Sequence, residues 1–361
     1  MKNSYLCLLS RKRNQNIMEQ GKISVIVLNW NGKELLKRYL PSVVKYSAGP
    51  RVEVVVADNG STDGSIEFVA QEYPSVKILN LGKNWGFAEG YNRAVDMVQA
   101  EYVLLLNSDV EVTEDWLEPL IQELDNNPQV AAVQPKLLAV HEPDSFEYAG
   151  ACGGFIDKFG YPFCRGRILN TLEKDSGQYD NPCNVFWCSG AAILLRKELY
   201  VKAGGLDAQF FAHMEEIDLC WRIARMGYQL MSVPISVVYH LGGGTLPMNH
   251  PKKLKLNYRN NLLMLFKNLT RQQFCRVMMV RCFMDMASLM IFLLKGEGGN
   301  AKSVIQAYKE FFKMKKSYTH AQTKVDVKGV YPASVVWGYY VEKSNTFNSL
   351  KYKLSGGNFV K

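Results

Sequence analysis

The eight cysteines, at positions 7, 152, 164, 183, 188, 220, 275 and 282, contain no Cys-x-x-Cys pair and no zinc spacing. A structural zinc module is therefore excluded, and the thiols read as reduced, several of them core filler, in a cytosolic protein. The first 20 residues carry Arg11-Lys12-Arg13 but lack the apolar stretch that a signal peptide needs behind its basic end. Residues 1–21 thus read as a flexible leader, with Met18 a candidate start. Before residue 260 no apolar run is long enough to span a bilayer. Nor is there a Gly-x-Gly-x-x-Gly after the first apolar run, where Asn29-Trp30-Asn31-Gly32 stands instead. A dinucleotide-binding reading loses its main support there. A nucleotidyltransferase would want a Gly-rich loop with Arg or Lys at the same place, and this is missing too.

What is present is an ordinary globular balance over 361 residues, 47% hydrophobic and 21% charged, enough for a sizeable core in one large or two modest domains. The net charge of +9 is unevenly spread. Residues 1–250 hold 23 Lys and Arg against 29 Asp and Glu, whereas residues 251–361 hold 20 against 5. The division predicts chemistry in 22–250 and, in 251–361, either a solvated basic surface or attachment to something anionic. A nucleic-acid-binding module would account for the basic part but not for the carboxylates ahead of it.

Ile23–Asn29, Val52–Ala57, Val76–Asn80 and Tyr102–Leu106 are short, nearly continuous apolar runs, as expected of parallel strands buried on both faces. Between them, Leu35, Leu36, Tyr39, Leu40, Val43 and Val44 recur at helical spacing, as do Phe87, Tyr91, Ala94, Val95 and Val98. The alternation predicts a doubly wound α/β sheet, whose ligands sit beyond the carboxyl ends of the strands. Asp58-Asn59-Gly60 follows the second run, where a carboxylate can accept the N–H of a pyrimidine base or merely close a polar turn. Asn84, Gly86, Gly90 and Asn92 open the helix before the fourth run, as a helix start or as a close approach to sugar and phosphate. Asn107-Ser108-Asp109 follows the fourth run, where oxygen ligands suit Mg²⁺ or Mn²⁺.

Farther on, Glu215, Glu216 and Asp218 stand among Phe210, Phe211, Met214 and Ile217. They are either acids favoured by a helix N-terminus or a carboxylate raised by apolar surroundings into a general base. His240 ends another apolar run before Gly242-Gly243-Gly244, as a structural residue or as a ligand. Past residue 250, Lys252, Lys253, Lys255 and Tyr258-Arg259-Asn260-Asn261 lead into Leu/Met/Phe-rich text. This composition fits helices on an anionic bilayer surface, or helices packed on the catalytic part or in a homodimer. In Val277–Leu294 only Arg281, Asp285 and Ser288 are polar; the two charges, four apart, could pair on one face and make a spanning helix expensive.

In order, VIVLNWNG (25–32), ADNGSTDGS (57–65), NWGFAEGYN (84–92), LLLNSDV (104–110), CSGAAILLRKE (188–198), GGLDAQFFAHMEEIDLCWR (204–222) and YH with glycines (239–244) resemble the family 2 glycosyltransferases, particularly bacterial rhamnosyltransferase-like members. The resemblance covers roughly residues 22–270. It implies a GT-A fold with a mostly parallel central sheet, a divalent cation (Mg²⁺ or Mn²⁺), a nucleotide-diphospho-sugar donor and inversion at the anomeric carbon. By the same resemblance Asn29, Asp58 and Asn59 face the base and ribose, while Asn84, Gly86, Ala88, Gly90 and Asn92 line the nucleoside and diphosphate side. Asn107 takes the place of the first acid of the family's metal motif, Asp109 holds the metal and His240 completes its sphere. Glu216 aligns with the base, a Glu where the family usually has Asp, with Glu215 and Asp218 as alternatives. Trp187, Cys188, Ser189, Gly190 and Glu215 fall on the acceptor side. The expected acceptor is a glycan or polyprenyl-linked hydroxyl in cell-surface polysaccharide synthesis, at the inner face of the cytoplasmic membrane. An inactive nucleotide-sugar or carbohydrate-binding scaffold is the competing reading, because Asn107 and Glu216 both depart from the common pattern.

Overall fold

The computed structural model describes residues 19–242 and 251–361. Most of the 1–21 leader, with Met18 and Cys7, and the glycines 243 and 244 lie outside the described residues. The chain opens β1 (Ile23–Asn29), α1 (Lys33–Tyr46), β2 (Val52–Asp58), α2 (Ser65–Glu72), β3 (Lys77–Asn80), α3 (Phe87–Met97), β4 (Tyr102–Asn107), β5 (Val110–Val112), α4 (Glu118–Asn126) and β6 (Val130–Ala139). Each apolar run becomes a strand because it can be covered on both faces. In β1, Ile23, Val25 and Ile26 are all fully buried, each worth about 1.5–3 kcal/mol of burial.

A small sheet follows, β7 (Gly154–Asp157), β8 (Pro162–Cys164), β9 (Arg167–Ile168) and β10 (Thr171–Leu172). The main sheet then resumes with β11 (Cys183–Val185), β12 (Ala192–Arg196), α5 (Lys197–Lys202), α6 (Glu215–Arg225) and β13 (Gln229–His240). Its strand order is β11-β13-β6-β12-β4-β1-β2-β3, with β5 paired to β13. The half from β4 to β3 is parallel, as expected. The other half is mixed: β12 runs antiparallel to both β4 and β6, and β11 and β5 run antiparallel to β13, while β13 and β6 are parallel. One apolar layer holds α1, α4 and one sheet face. The other joins α3, α6, the small sheet and much of the C-terminal region.

Residues beyond 250 form α7 (Pro251–Asn268), α8 (Arg271–Leu294) and α9 (Gly298–Met314). After Met314 the expected helical character gives way: β14 (Val330–Tyr331) joins the small sheet beside β7, followed by the short α10 (Val335–Tyr340). Phe347 and Phe359 stack around Phe155 and Phe163 of that sheet. The chain end is thus woven back into the 22–250 part rather than standing apart from it.

Candidate active site

The carboxyl ends of the parallel strands lie side by side. Asn29 pairs in register with Asp58, Asp58 with Asn80, and Leu28 with Asn107. The next strand over, β12, begins where the Asn107 N–H donates to Ala191 O at 2.9 Å. From Asp58 to Ala191 is three strand spacings, about 14 Å at the usual separation. Polar side chains therefore gather along one sheet edge because each apolar run ends at the same level.

At the β2 end of this row the loops are tied to one another. Asn29 Nδ2 donates to Asp58 Oδ1, Ser61 Oγ and Ser65 Oγ at 3.3, 3.1 and 2.9 Å. Asp58 Oδ2 accepts the N–H groups of Gly60 and Ser61. Asn59 reaches across, donating to Asn84 Oδ1 and Gly86 O and accepting from Trp85 N. Gly60 has φ +80, and a Cβ there would come within 2.5 Å of the Lys83 backbone, so only glycine lets these loops close. Asn29, Asp58 and Asn59 are all buried; they build the floor of the loop cluster, and Asn84 remains exposed above it.

Near the centre of the row, β5 pairing with β13 sets His240 opposite Val110, next to Asp109. His240 Nε2 lies 3.2 Å from Asp109 Oδ1 and 3.4 Å from Asn107 Nδ2. Its Nδ1 lies 3.4 Å from Glu147 Oε1, a residue missed in the sequence. Burial alone would lower the imidazole, but the Asp109 and Glu147 carboxylates outweigh it and hold His240 up at about 10. Two acids that favour a proton there equally favour a cation. Among the described residues no group of three or more His, Cys, Asp or Glu is arranged to hold a metal. Asp109 and His240, with the Asn107 amide beside them, nonetheless fit a hard divalent ion that takes its remaining ligands from phosphate and water. His240 Nδ1 is buried without a hydrogen-bond partner, so Glu147 is placed to orient the ring once Nδ1 carries the proton.

The third group is at the start of α6. A Cβ on Gly190 would sit 3.5 Å from Glu216 Cβ and 3.7 Å from Phe87, which places Glu216 against the segment that leads into β12. Burial pushes Glu216 up to about 7, against the opposing N–H groups of Glu216 and Ile217. Glu215 is raised further by burial and by the neighbouring Glu216 charge. Both have an Oε2 without a partner. Asp218, the other alternative, is removed: it accepts from Arg222 Nε (2.9 Å), Lys267 Nζ (2.8 Å) and Asn268 Nδ2 (2.9 Å). Burial would raise it, yet these cations hold it below the usual carboxylate range, so it is no proton acceptor.

The loop ahead of α6 is strained. Phe211, His213 and Met214 have φ of 67, 71 and 71°, each costing of order 1 kcal/mol for a side chain of this size. Asn260 of α7 keeps it there, its Nδ2 donating to Phe210 O, Ala212 O and His213 O at 2.9, 2.9 and 2.7 Å. Arg259 Nη2 adds a bond to Phe210 O at 2.9 Å. Of the places the sequence leaves open for these residues, a bilayer surface, a dimer or the catalytic part, they take the last.

Other expectations are corrected. Asn92 lies in the core, donating to Leu206 O while its Oδ1 takes the Tyr200 hydroxyl and Leu206 N, and so holds the 205–206 turn. Ala88 is buried, and Gly90 packs on Leu28 and Asn59, because both lie on the sheet side of α3. Trp187 does not border an open pocket: its Nε1 donates to Phe155 O, and its ring covers Gly154 so closely that a Cβ would lie 2.1 Å away. Cys188 and Ser189 are equally buried. Of the expected acceptor-side residues, Gly190 and Glu215 stand beside Glu216. A cavity of about 320 Å³ lies elsewhere, lined among others by Trp221, Leu265 and Val330.

The sequence model described as Glycosyl transferase family 2 matches residues 24–200. Among curated proteins, the chain is 27% identical over 236 residues to an N-acetylglucosaminyl-diphospho-decaprenol L-rhamnosyltransferase of Mycobacterium tuberculosis, covering 60% of this chain and 75% of the relative. An O-antigen biosynthesis protein of Myxococcus xanthus is 25% identical over 224 residues, 61% of this chain and 17% of the relative. Among solved structures, GalNAc-T7 with UDP, GalNAc and Mn²⁺ superposes with a TM-score of 0.54 at 16% identity, over 70% of this chain and 48% of that one. With the sheet order and the strand-end residues described above, these likenesses identify the chain as a member of glycosyl transferase family 2 with a GT-A fold.

Proposed function

We propose that the protein is an inverting glycosyltransferase that moves a sugar, a rhamnosyl group from a dTDP-linked donor as the first to try, onto a hydroxyl of a glycan or polyprenyl-linked acceptor. The acceptor would belong to cell-surface polysaccharide synthesis, offered at the inner face of the cytoplasmic membrane to a peripherally held enzyme. The rhamnosyltransferase and O-antigen relatives support the sugar and the pathway class. The observation that carries the chemistry is Glu216, a carboxylate with an unpartnered oxygen, raised to about 7 and packed on Gly190, next to the residue whose carbonyl takes the Asn107 N–H.

The loops around Asp58 and Asn59 hold the nucleoside, so the diphosphate runs along the row of strand ends toward Asp109. A divalent ion held by Asp109 and His240 supplies neutralising charge to the leaving diphosphate when bound. Glu216 takes the acceptor hydroxyl's proton as its oxygen forms the new bond to the anomeric carbon. The bond from that carbon to the phosphate oxygen breaks in the same displacement, and the electron pair leaves with the nucleoside diphosphate. Attack from the face opposite the leaving group inverts the centre.

Replacing Glu216→Gln is expected to lower transfer by about 10²–10⁴-fold while donor still raises the melting temperature by mass action. Near-normal transfer by that variant would remove Glu216 as the base. A thermal-shift screen of nucleotide sugars with Mn²⁺ names the donor, and Asp109→Ala should abolish the Mn²⁺-dependent part of the shift.

A further inference from the structure

The C-terminal region presents a surface that the transfer chemistry leaves unused. Among the described residues, α8 is the one helix long and apolar enough, by length and composition, to cross a membrane. Its two mid-helix charges, however, are turned into the protein. Arg281 and Asp285 are each only 2% exposed, with 3.5 Å between guanidinium and carboxylate. Arg281 also lies 3.9 Å over the Tyr161 ring, and Asp285 accepts the hydroxyls of Tyr161 and Tyr308 at 3.1 and 2.7 Å. A spanning helix would have to strip this pair of its partners and carry it into hydrocarbon.

On the other side α8 is apolar and bare. Met279, Phe283, Met286, Met290 and Leu294 are 73, 76, 58, 50 and 84% exposed. They recur at steps of four, three, four and four, which is one stripe of a helix, about 22 Å long at 1.5 Å per residue. Arg271 and Arg276 before the stripe and Lys295 after it are exposed. On α9, exposed Lys302, Lys309 and Lys313 alternate with exposed Ile305 and Phe312, and Lys316 just beyond the helix is exposed too. Residues 251–361 carry 20 basic against 5 acidic side chains. A second copy would set this charge against itself, whereas an anionic lipid surface meets it with the opposite sign.

We propose that α8 lies flat in the interface of an anionic bilayer, its Met279–Leu294 stripe among the acyl chains and its flanking basic residues on the headgroups. Such a helix buries its apolar side about 5–10 Å deep and gains from both apolar area and charge. The proposal deepens the reading of a lipid-linked acceptor by naming what holds the enzyme beside it, but its physics does not require the transfer reaction.

The test is flotation of the full chain with vesicles of phosphatidylcholine containing about 30% phosphatidylglycerol, against phosphatidylcholine alone, at about 0.1 M salt. The protein should float with the anionic vesicles, bind the neutral ones at least about fivefold less, and be released by alkaline carbonate. The double substitution Phe283→Asp and Met290→Asp should lower binding about tenfold or more, with an unchanged melting temperature and donor-induced thermal shift. Four outcomes would each overturn the proposal: wild type left unbound by both vesicles, equal binding to both, retention through carbonate, or a variant that floats like wild type. So would a wild-type dimer that the double substitution splits without any vesicle binding. The donor-induced shift is read in the same samples. Loss of flotation with the shift intact condemns only the surface, and loss of the shift condemns the donor site.

Discussion

Helices α7 and α8 follow one another in the basic region and both mix basic with apolar residues, but they are used in opposite ways. In α7, Leu256 and Leu262–Leu265 are buried, and so are Arg259, Asn260, Asn261 and Asn268. Those polar groups are spent on the catalytic part: Asn260 on the loop before Glu215, Asn261 on Gly160 O, Asn268 on Asp218. In α8 the buried groups are Arg281 and Asp285, and Met279, Phe283, Met286, Met290 and Leu294 face out. In both helices the buried polar residues mark the inward side. What differs is whether apolar residues have protein left to cover them, and composition alone is blind to that difference.

The sharpest break of this contrast is Asp285→Ala. It leaves the buried Arg281 guanidinium without its carboxylate and Tyr161 and Tyr308 without their acceptor. Losing one partner of a buried pair costs about 3–5 kcal/mol, so urea unfolding should show a large fall in midpoint. A change below about 1 kcal/mol would mean that the pair is wet and α8 is loosely held. Asn260→Ala comes next. It withdraws the donor from three carbonyls of a strained loop, a loss of about 2–3 kcal/mol, and transfer should fall more than stability does because Glu216 loses its support. Donor-induced thermal stabilisation should persist, since Asp58 and Asn59 do not touch α7.

The parallel half of the sheet was legible because β1 to β4 are nearly continuous apolar runs ending in Asn or Asp, and that pattern places the row of site residues as well. The mixed half was not legible. Strands of two to five residues such as β9, β10 and β12 carry no periodicity, and antiparallel β12 resembles its parallel neighbours in sequence. Glu147 was hidden because a lone glutamate in a loop signals nothing until the pairing of β6 with β13 brings it to His240. Asn260 was visible, yet its burial depends on a partner loop 47 to 50 positions away. Asn92 and Trp187 mark the converse error: both lie in motif-like text, but their polar atoms are spent on core backbone.

A smaller effect sharpens what α7 maintains. Glu216 is raised from the usual 4.5 to about 7 by burial, so the folded chain binds this proton more tightly than the unfolded chain. Its stabilising contribution is whole below pH 4.5 and is lost as pH rises through 7. Glu216→Gln removes the penalty of the charged form. Its melting temperature should exceed that of the parent by about 2 °C or more at pH 8, with the difference shrinking toward zero near pH 4.5. An equal difference at both pH values would show that packing, not ionisation, is responsible.

The smallest expected effect is the most telling for the comparison. Phe283 is two positions from Asp285 on the same helix, but it is 76% exposed where Asp285 is 2%. In most proteins an exchange of Phe for Ser within a long apolar helix would cost several kcal/mol, through lost burial and the cavity left behind. Here nothing covers the ring, so Phe283→Ser should stay within about 0.5 kcal/mol in detergent-free buffer. Added anionic vesicles should then separate the two proteins, because lipid bound only by the folded parent raises its melting temperature and not that of the variant. A large loss of stability without lipid would instead mean that the stripe is already covered by protein in solution, and the resemblance between α7 and α8 would be restored.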